Sequence, residues 1–469
     1  MAKYSPQRIR DPLHDLIEFQ ADKFENVLWE VLQTRPFQRL RRVKQLAFSE
    51  FVFPGATHTR FAHSVGVFHI ARQLMGIIAN HLDNEIDPER AKVALAAALV
   101  HDIGHGPFSH SFEEAGEKLE MPYAKHEAVS ADLIRTGEVA EVLSKVHPGF
   151  ADEVSSLIAV DGPTDIYSAV VSSQFDADRL DYIQRDPMMA GTQHSKIDFT
   201  WLRSNLEIGS VKTGVDDEPV GETETFVLNS KAFFAAETYV LGLFHLYPTV
   251  YFHKATRSAE KLFTSLLVRL YDLVQSGDIE ASGLTKDHPL IRFLREPNQE
   301  NFLPMDDTLI WGSIHQIVFA KDPWIQKIAL RLRDRKLLKC VDARGVLFPH
   351  YLGLSVDDKF LDLACAELIK AVEEWNDSDN SIMPRIILDE GKRPTYKRFS
   401  EGKGPLNQIH ISMNGKLVDV SEVSKAVNAS GTFKFLRAYI DENDGDARKF
   451  LEQKISEIAR EQNNDRREP

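Results

Sequence analysis

The sequence predicts a mainly α-helical protein, with an all-helical core in its first part and a smaller α+β lobe at the C-terminal end. Three observations carry that expectation. Apolar residues recur at three- and four-residue spacing, the helical period, through most of the first 277 residues. Strand-like runs are few and short: "TFVLNS", "PRIILDE" and "NQIHISMNGKLVDV". The chain has 469 residues, 43% hydrophobic and 27% charged, which exceeds one average domain and matches an ordinary globular composition with a sizeable core. The expected division is residues 1–277 and 278–469, with a hairpin insertion near 207–228.

Taken in order, "FENVLWEVLQ" places Phe24, Val27, Leu28 and Val31 on one helix face, and Pro36 interrupts the pattern before "FQRLRRVKQL" restarts it. On that second run Gln38, Arg41 and Gln45 share a face. "VGVFHIARQLMGIIANHL" reads as a buried helix. Asp87 and Pro88 form a capping start for "ERAKVALAAALVHD", because Asp accepts exposed amides and Pro fits the first turn. Gly104 is the expected stop, so His101 and Asp102 fall in the last turn. "HEAVSADLIRTGEVAEVL", "DIYSAVVSSQFDADRLDYIQRD" and "ATRSAEKLFTSLLVRLYDLV" continue the amphipathic pattern. The polar, acidic "GSVKTGVDDEPVGETET" beside "TFVLNS" marks the hairpin. Beyond Asp278 two helical stretches precede the remaining strand-like runs, with Asn414-Gly415 as a hairpin turn. The end, "EQKISEIAREQNNDRREP", is charged and expected to fray.

Composition excludes several classes. Cys340 and Cys365 are the only cysteines and form no CxxC pair, which argues against a disulfide framework or a zinc ribbon. The first residues, "MAKYSPQRIRDPLHD", lack the apolar core of a signal peptide, and no uncharged stretch approaches the roughly 18 residues of a membrane span. A cytoplasmic location is expected. A net charge of −14 opposes non-specific binding to nucleic acid, so a polyanion needs a local basic pocket.

The chemistry concentrates in "ALVHDIGHGPFSH", which packs His101, Asp102, His105 and His110 into ten positions of a chain with 17 His in all. Such a cluster is a metal site or a crowded helix end. Divalent metals accept mixed nitrogen and oxygen sets, and two ligands are too few, so other segments must contribute. His63 in "HTRFAHSVGVFHI" and Asp178 in "DADRLDYIQRD" are the candidates. At about 100° per residue, Asp178, Arg179, Tyr182 and Asp186 fall within roughly 100° of one another. That face offers two anions, a cation and a phenol, which suits a pocket wall. His69 and His81, alone on an apolar helix, read as packed or surface residues.

In order and spacing, "HTRFAHS", "HDIGHGPFSHSF", "HEAVSADLI" and "DADRLDYIQRD" resemble the HD superfamily of metal-dependent phosphohydrolases. "RDPLHDLIEF", "RPFQRLRRVKQL" and "FVFPGATHTRFAHSVGV" narrow the resemblance to its deoxynucleoside triphosphate (dNTP) triphosphohydrolases. The resemblance implies an HD-domain helical core, with His63, His101, Asp102 and Asp178 holding one divalent transition metal (Mn, Fe, Ni or Zn) and Mg accompanying the nucleotide. It implies catalytic roles for His105, His126 and Glu127, the last as the carboxylate that orients a histidine. Arg60, His110, Arg179 and Tyr182 match groups that contact the triphosphate, while Gln45, Asp186 and Tyr251 match the sugar neighbourhood. Arg179 stands where the best-known members carry Lys, exchanging a point ammonium for a planar fork.

Gln38, Arg41 and Lys254 match a nucleotide effector site at a subunit interface, although Gln33 replaces the Asp that suits a guanine edge. The solvated basic face of Arg39, Arg41, Arg42 and Lys44 is an equal reading of that segment. The implied reaction is hydrolysis at the α-phosphorus to a deoxynucleoside and inorganic triphosphate, with His126 or His105 as general acid, in a homo-oligomer, dimer or tetramer. An HD-type phosphodiesterase or single-strand nuclease, and a non-enzymatic nucleotide sensor, are the alternatives.

Overall fold

The computed structural model describes residues 4–159, 162–215, 218–351, 359–379, 381–396, 406 and 408–465. It is mainly helical. Two compact units appear, each discontinuous in sequence: Met1–Tyr251 with Thr285–Ser313 and Thr395–Gly431, and Phe252–Leu284 with Ile314–Pro394 and Thr432–Pro469.

The first unit opens on an antiparallel hairpin of β1 (Gln7–Asp11) and β2 (Asp15–Phe19), in which Ile9 faces Ile17. Next comes α1 (Lys23–Gln33), started by the Asp22 side chain accepting the Glu25 amide at 2.8 Å and burying Val27, Leu28, Val31 and Leu32. α2 (Arg60–His81) and α3 (Pro88–Val100) follow, and α3 begins as its sequence predicts, with Asp87 accepting the Glu89 and Arg90 amides and Pro88 in the first turn. α4 (His110–Lys118), α5 (His126–Arg135) and α6 (Ala177–Ala190) complete the helices around the site. The buried faces of α2, α3 and α6 share a core that includes Ile70, Leu74, Ala94, Ala98, Leu180 and Ile183.

β3 (Leu206–Val215) and β4 (Glu218–Asn229) pair antiparallel, and β4 carries the short strand His410–Met413 parallel to it. Asn414 and Gly415, both at positive φ, then turn the chain into Lys416–Asp419, the conformation an Asn-Gly hairpin turn requires. The Asp216–Asp217 tip of the expected insertion lies outside the described residues.

Several boundaries differ from those the sequence predicts. "FQRLRRVKQL" gives only a short helix, Arg35–Arg39, and a 3-10 turn, Leu40–Arg42; Lys44 then bridges to Thr59, so Gln45 shares no helix face with Gln38 and Arg41. α3 ends at Val100, which leaves His101 as its cap and Asp102 in the turn beyond. Gly104 has no positive φ and stops nothing by conformation; a methyl there would overlap the His126 carbonyl and Ser130, so its small size admits α5. The helix expected from Asp165 begins only at Ala177, where Asp176 supplies the cap. "HEAVSADLIRTGEVAEVL" breaks at Gly137, φ +68°.

In the second unit the strand Thr432–Ile440 lies between Lys339–Asp342 and Ile386–Pro394, antiparallel to both. Helices Lys359–Ser378 and Gly445–Asp465 contribute Leu368, Val372, Leu451, Ile455 and Ile458 to its core. The tail expected to fray is therefore helical to Asp465, because Ile455, Ile458 and Ala459 give it a face to bury; residues 466–469 lie outside the described set.

Candidate metal centre

Four side chains converge from three helix ends. His63 stands in the first turn of α2, His101 caps α3 with Asp102 next to it, and Asp178 stands in the first turn of α6, whose cap Asp176 accepts the Arg179 amide at 2.7 Å. His63 is fully buried. Its Nδ1 donates to Asp181 Oδ2 at 2.9 Å, while Nε2, with no hydrogen-bond partner, lies 3.0 Å from Asp178 Oδ1 and 3.6 Å from Asp102 Oδ2. His101 Nδ1 donates to the Ala98 carbonyl at 3.0 Å. That bond aims its equally unpartnered Nε2 at Asp102 Oδ1, 3.4 Å away, and Asp178 Oδ1, 3.7 Å away.

Burial works against a charge on His63, yet Asp178 and Asp181 lift its pKa to about 10; Asp102 and Asp178 likewise raise His101 against its burial. A pocket that holds protons this firmly has the electrostatics of a cation site, and a metal ion would take the protons' place. Two imidazole nitrogens and two carboxylates fit a divalent first-row transition metal.

Behind His63 lies an ionic network. Asp181 accepts from His14 Nε2 at 2.7 Å and from Arg185 Nε and Nη2 at 2.7 and 3.0 Å, and Arg185 also reaches Asp11 at 2.8 Å. Burial alone would raise the Asp181 pKa; the Arg185 charge and these hydrogen bonds hold it well below the usual carboxylate range. The anion fixes the His63 tautomer, as outer partners of metal-binding histidines do. A methyl at Gly66 would overlap Asp181 Oδ1 and Arg185 Nη2, so the close approach of α2 and α6 depends on that glycine.

Beside the four, His105 Nε2 lies 3.3 Å from Asp102 Oδ1, and its ring stacks on His126 with centroids 3.8 Å apart. α5 is drawn to this place by Ser130, whose Oγ accepts the Gly104 amide and donates to the His101 carbonyl, both at 2.9 Å. His126 Nδ1 donates to Glu113, whose Oε1 also accepts the His126 amide at 3.0 Å. Burial opposes a charge on His126, but the hydrogen bond and charge of Glu113 raise its pKa. Burial, Arg60 and the His126 charge hold His105 well below the ordinary histidine value. The two stacked rings thus hold protons with opposite tendencies, His126 more firmly and His105 less firmly than an ordinary histidine.

The remaining expected site residues divide. Arg60 pairs with Asp102 and donates from Nε to Ser109 Oγ at 2.9 Å. Asp186 accepts from Tyr251 at 2.8 Å and from His58 Nε2 at 2.9 Å, and the backbone N–H of Gln45 donates to the His58 carbonyl at 3.0 Å, so Gln45 joins the other two sugar candidates through its backbone. Tyr182 is a phenol, its pKa pushed well up by burial. His110 is exposed and pairs with Glu113 at 2.6 Å. Arg179 turns to the Ser173 carbonyl and to Asp176 at 3.3 Å. Glu127, exposed and 3.5 Å from His126 Nδ1, is displaced as the orienting carboxylate by Glu113.

Arg41 donates to Gln38 Oε1 at 2.9 Å and lies 3.5 Å over the Phe61 ring, while Lys254 belongs to the other unit. Sequence reading missed His14, His58, Glu113, Asp181 and Arg185. One signal was available: Asp181 and Arg185 are opposite charges four apart, a spacing that places them on one helix face.

An HD domain matches residues 60–161, and an HD-associated region matches residues 220–435. The uncharacterized protein YwfO of Bacillus subtilis is 32% identical over 342 residues, 72% of this chain and 73% of its own. The "Deoxynucleoside triphosphate triphosphohydrolase SAMHD1 homolog" of Dictyostelium discoideum is 28% identical over 355 residues, 72% of this chain but 61% of that relative. A phosphohydrolase structure from Bacteroides thetaiotaomicron superposes with a TM-score of 0.70 over 93% of this chain and 100% of its own, at 23% identity, which shows a shared fold. Among the described residues no helix is long and apolar enough to cross a membrane.

Proposed function

The chain belongs to the HD-domain phosphohydrolases with an HD-associated region, and on that footing we propose that it hydrolyses dNTPs to deoxynucleosides and inorganic triphosphate. HD membership implies a divalent metal and hydrolase chemistry. The observation that carries the finer reading is the pairing of the His63, His101 and Asp102 cluster, with Asp178 beside both histidines, with a His126 whose pKa Glu113 raises, 3.8 Å centroid to centroid from His105, whose pKa is lowered. The name of the Dictyostelium relative supports the substrate.

The four ligands would hold the metal, which when bound supplies Lewis acidity and acidifies a water. Arg60, buried against Asp102, adds a fixed positive charge that a triphosphate needs in an acidic protein. His126, its pKa raised by Glu113, serves as the general acid that protonates the departing 5′ oxygen of the sugar. Mg accompanies the triphosphate. Asp186, held by His58 and Tyr251, accepts a hydrogen bond from a sugar hydroxyl.

Incubation with each dNTP and Mn, followed by anion-exchange separation, tests this reading. Deoxynucleoside and triphosphate are the expected products, whereas pyrophosphate with monophosphate, or no turnover, contradicts it. A second nucleotide near Gln38 and Arg41 is proposed to raise activity by favouring an active homo-oligomer. Sedimentation and rate with and without that nucleotide, in wild type and Arg41→Ala, test this; unchanged wild-type mass and rate overturn it.

A further inference from the structure

The segment between Asp102 and His110 bends in a way its residues resist. Phe108 and Ser109 both adopt positive φ, +56° and +53°, the left-handed region that non-glycine residues rarely occupy. Neither is glycine, so neighbouring groups must hold the corner.

Two buried side chains grip it. Asp307, 3% exposed, accepts the Phe108 amide on Oδ1 at 2.8 Å and the Lys44 amide on Oδ2 at 2.9 Å. Arg39, fully buried, donates to the carbonyls of Ile103 and Met305, each at 2.8 Å. Residues 305–307 are thereby fastened to both ends of the turn that follows Asp102. The corner in turn places Ser109 Oγ, which accepts from Arg60 Nε at 2.9 Å, and Arg60 pairs with Asp102.

We propose that Asp307 is a positioning residue of the active site: by bridging the Phe108 and Lys44 amides it holds the strained corner that sets Arg60 and Asp102. The inference rests on the reading of that turn as catalytic. A carboxylate has an acceptor for each amide, whereas Asn has one and turns an NH₂ toward the other donor. Burial lifts Asp307 to about 7; Lys44, Asp306, Arg39 and Arg42 are the charged groups around it. The grip is complete in the carboxylate form and weakens as pH falls through that value.

The test compares wild type with Asp307→Asn at a temperature where circular dichroism shows both folded, reading metal content, kcat on dNTP and hydrogen exchange of peptides spanning 103–112. Expected are equal metal content, kcat at least tenfold lower, and at least tenfold faster exchange confined to 103–112. Unchanged kcat and unchanged exchange overturn the proposal; so does faster exchange spread over the whole chain, which marks a structural role only. If the variant does not fold, wild-type exchange from pH 8 to 6, corrected for intrinsic rates, decides: protection of 103–112 falls below about pH 7 if the proposal holds and stays level if it does not. Wild type inert on every dNTP removes the functional reading alone, because the exchange measurement still decides the role of Asp307.

Discussion

Replacing Asp181 with Asn leaves the size of the side chain and removes the charge behind His63. Asp181 accepts from His14, His63 and twice from Arg185 at 2.7–3.0 Å. The amide keeps one acceptor and presents an NH₂ to a cluster of donors. Breaking a buried ion pair costs about 3–5 kcal/mol, and because Arg185 retains Asp11 at 2.8 Å the lower end, about 3 kcal/mol, is expected. Loss of an outer partner of a metal-binding histidine lowers metal affinity by about 10–100-fold.

The pH dependence has a definite sign. Asp181 is held below its ordinary value of 3.8, so its stabilisation is present above about pH 4 and lost as pH falls through the folded value. Urea unfolding of chelator-stripped protein should therefore show a difference between wild type and variant that is flat from pH 7 to about 4 and narrows below. Competition titration with a chromogenic chelator gives the metal affinity. A variant within twofold of wild type in affinity, or within about 0.5 kcal/mol in stability, refutes the role given to Asp181.

Asp178→Ala and the double change His101→Ala/Asp102→Ala should each strip the metal and abolish hydrolysis; full metal occupancy by elemental analysis would remove these residues as ligands. His126→Ala should retain metal and lose turnover by roughly a hundredfold or more, as deletion of a general acid does. Glu113→Gln removes the charge that raises the His126 pKa, so the alkaline limb of the rate profile should move to lower pH; a fixed limb assigns the proton elsewhere. Gly104→Ala should push α5 from the turn and slow turnover with metal retained, read by kcat and metal content together.

The legible parts of the chain were those whose cause is local. Asp87-Pro88 starting α3 and Asn414-Gly415 turning a hairpin need no knowledge of distant residues. The His101-Asp102 pair was also visible, because it crowds titratable groups into one helix end. Partners far along the chain were not: Asp181 is 118 positions from His63, and Asp307 is 199 from Phe108. The resemblance assigned the orienting carboxylate to Glu127, whereas the packing of α4 against the start of α5 gives the hydrogen bond to Glu113, 13 positions back on a different helix. Gly104 looked like a stop signal, since nothing local reports that another helix will press against it.

Hydrolysis of a dNTP in ¹⁸O-enriched water tests most directly whether the reaction proceeds at the α-phosphorus beside the His63, His101, Asp102 and Asp178 cluster. One heavy oxygen is expected in the released triphosphate, on its former α-phosphorus, and none in the deoxynucleoside. Label in the deoxynucleoside, or in monophosphate or pyrophosphate products, contradicts it.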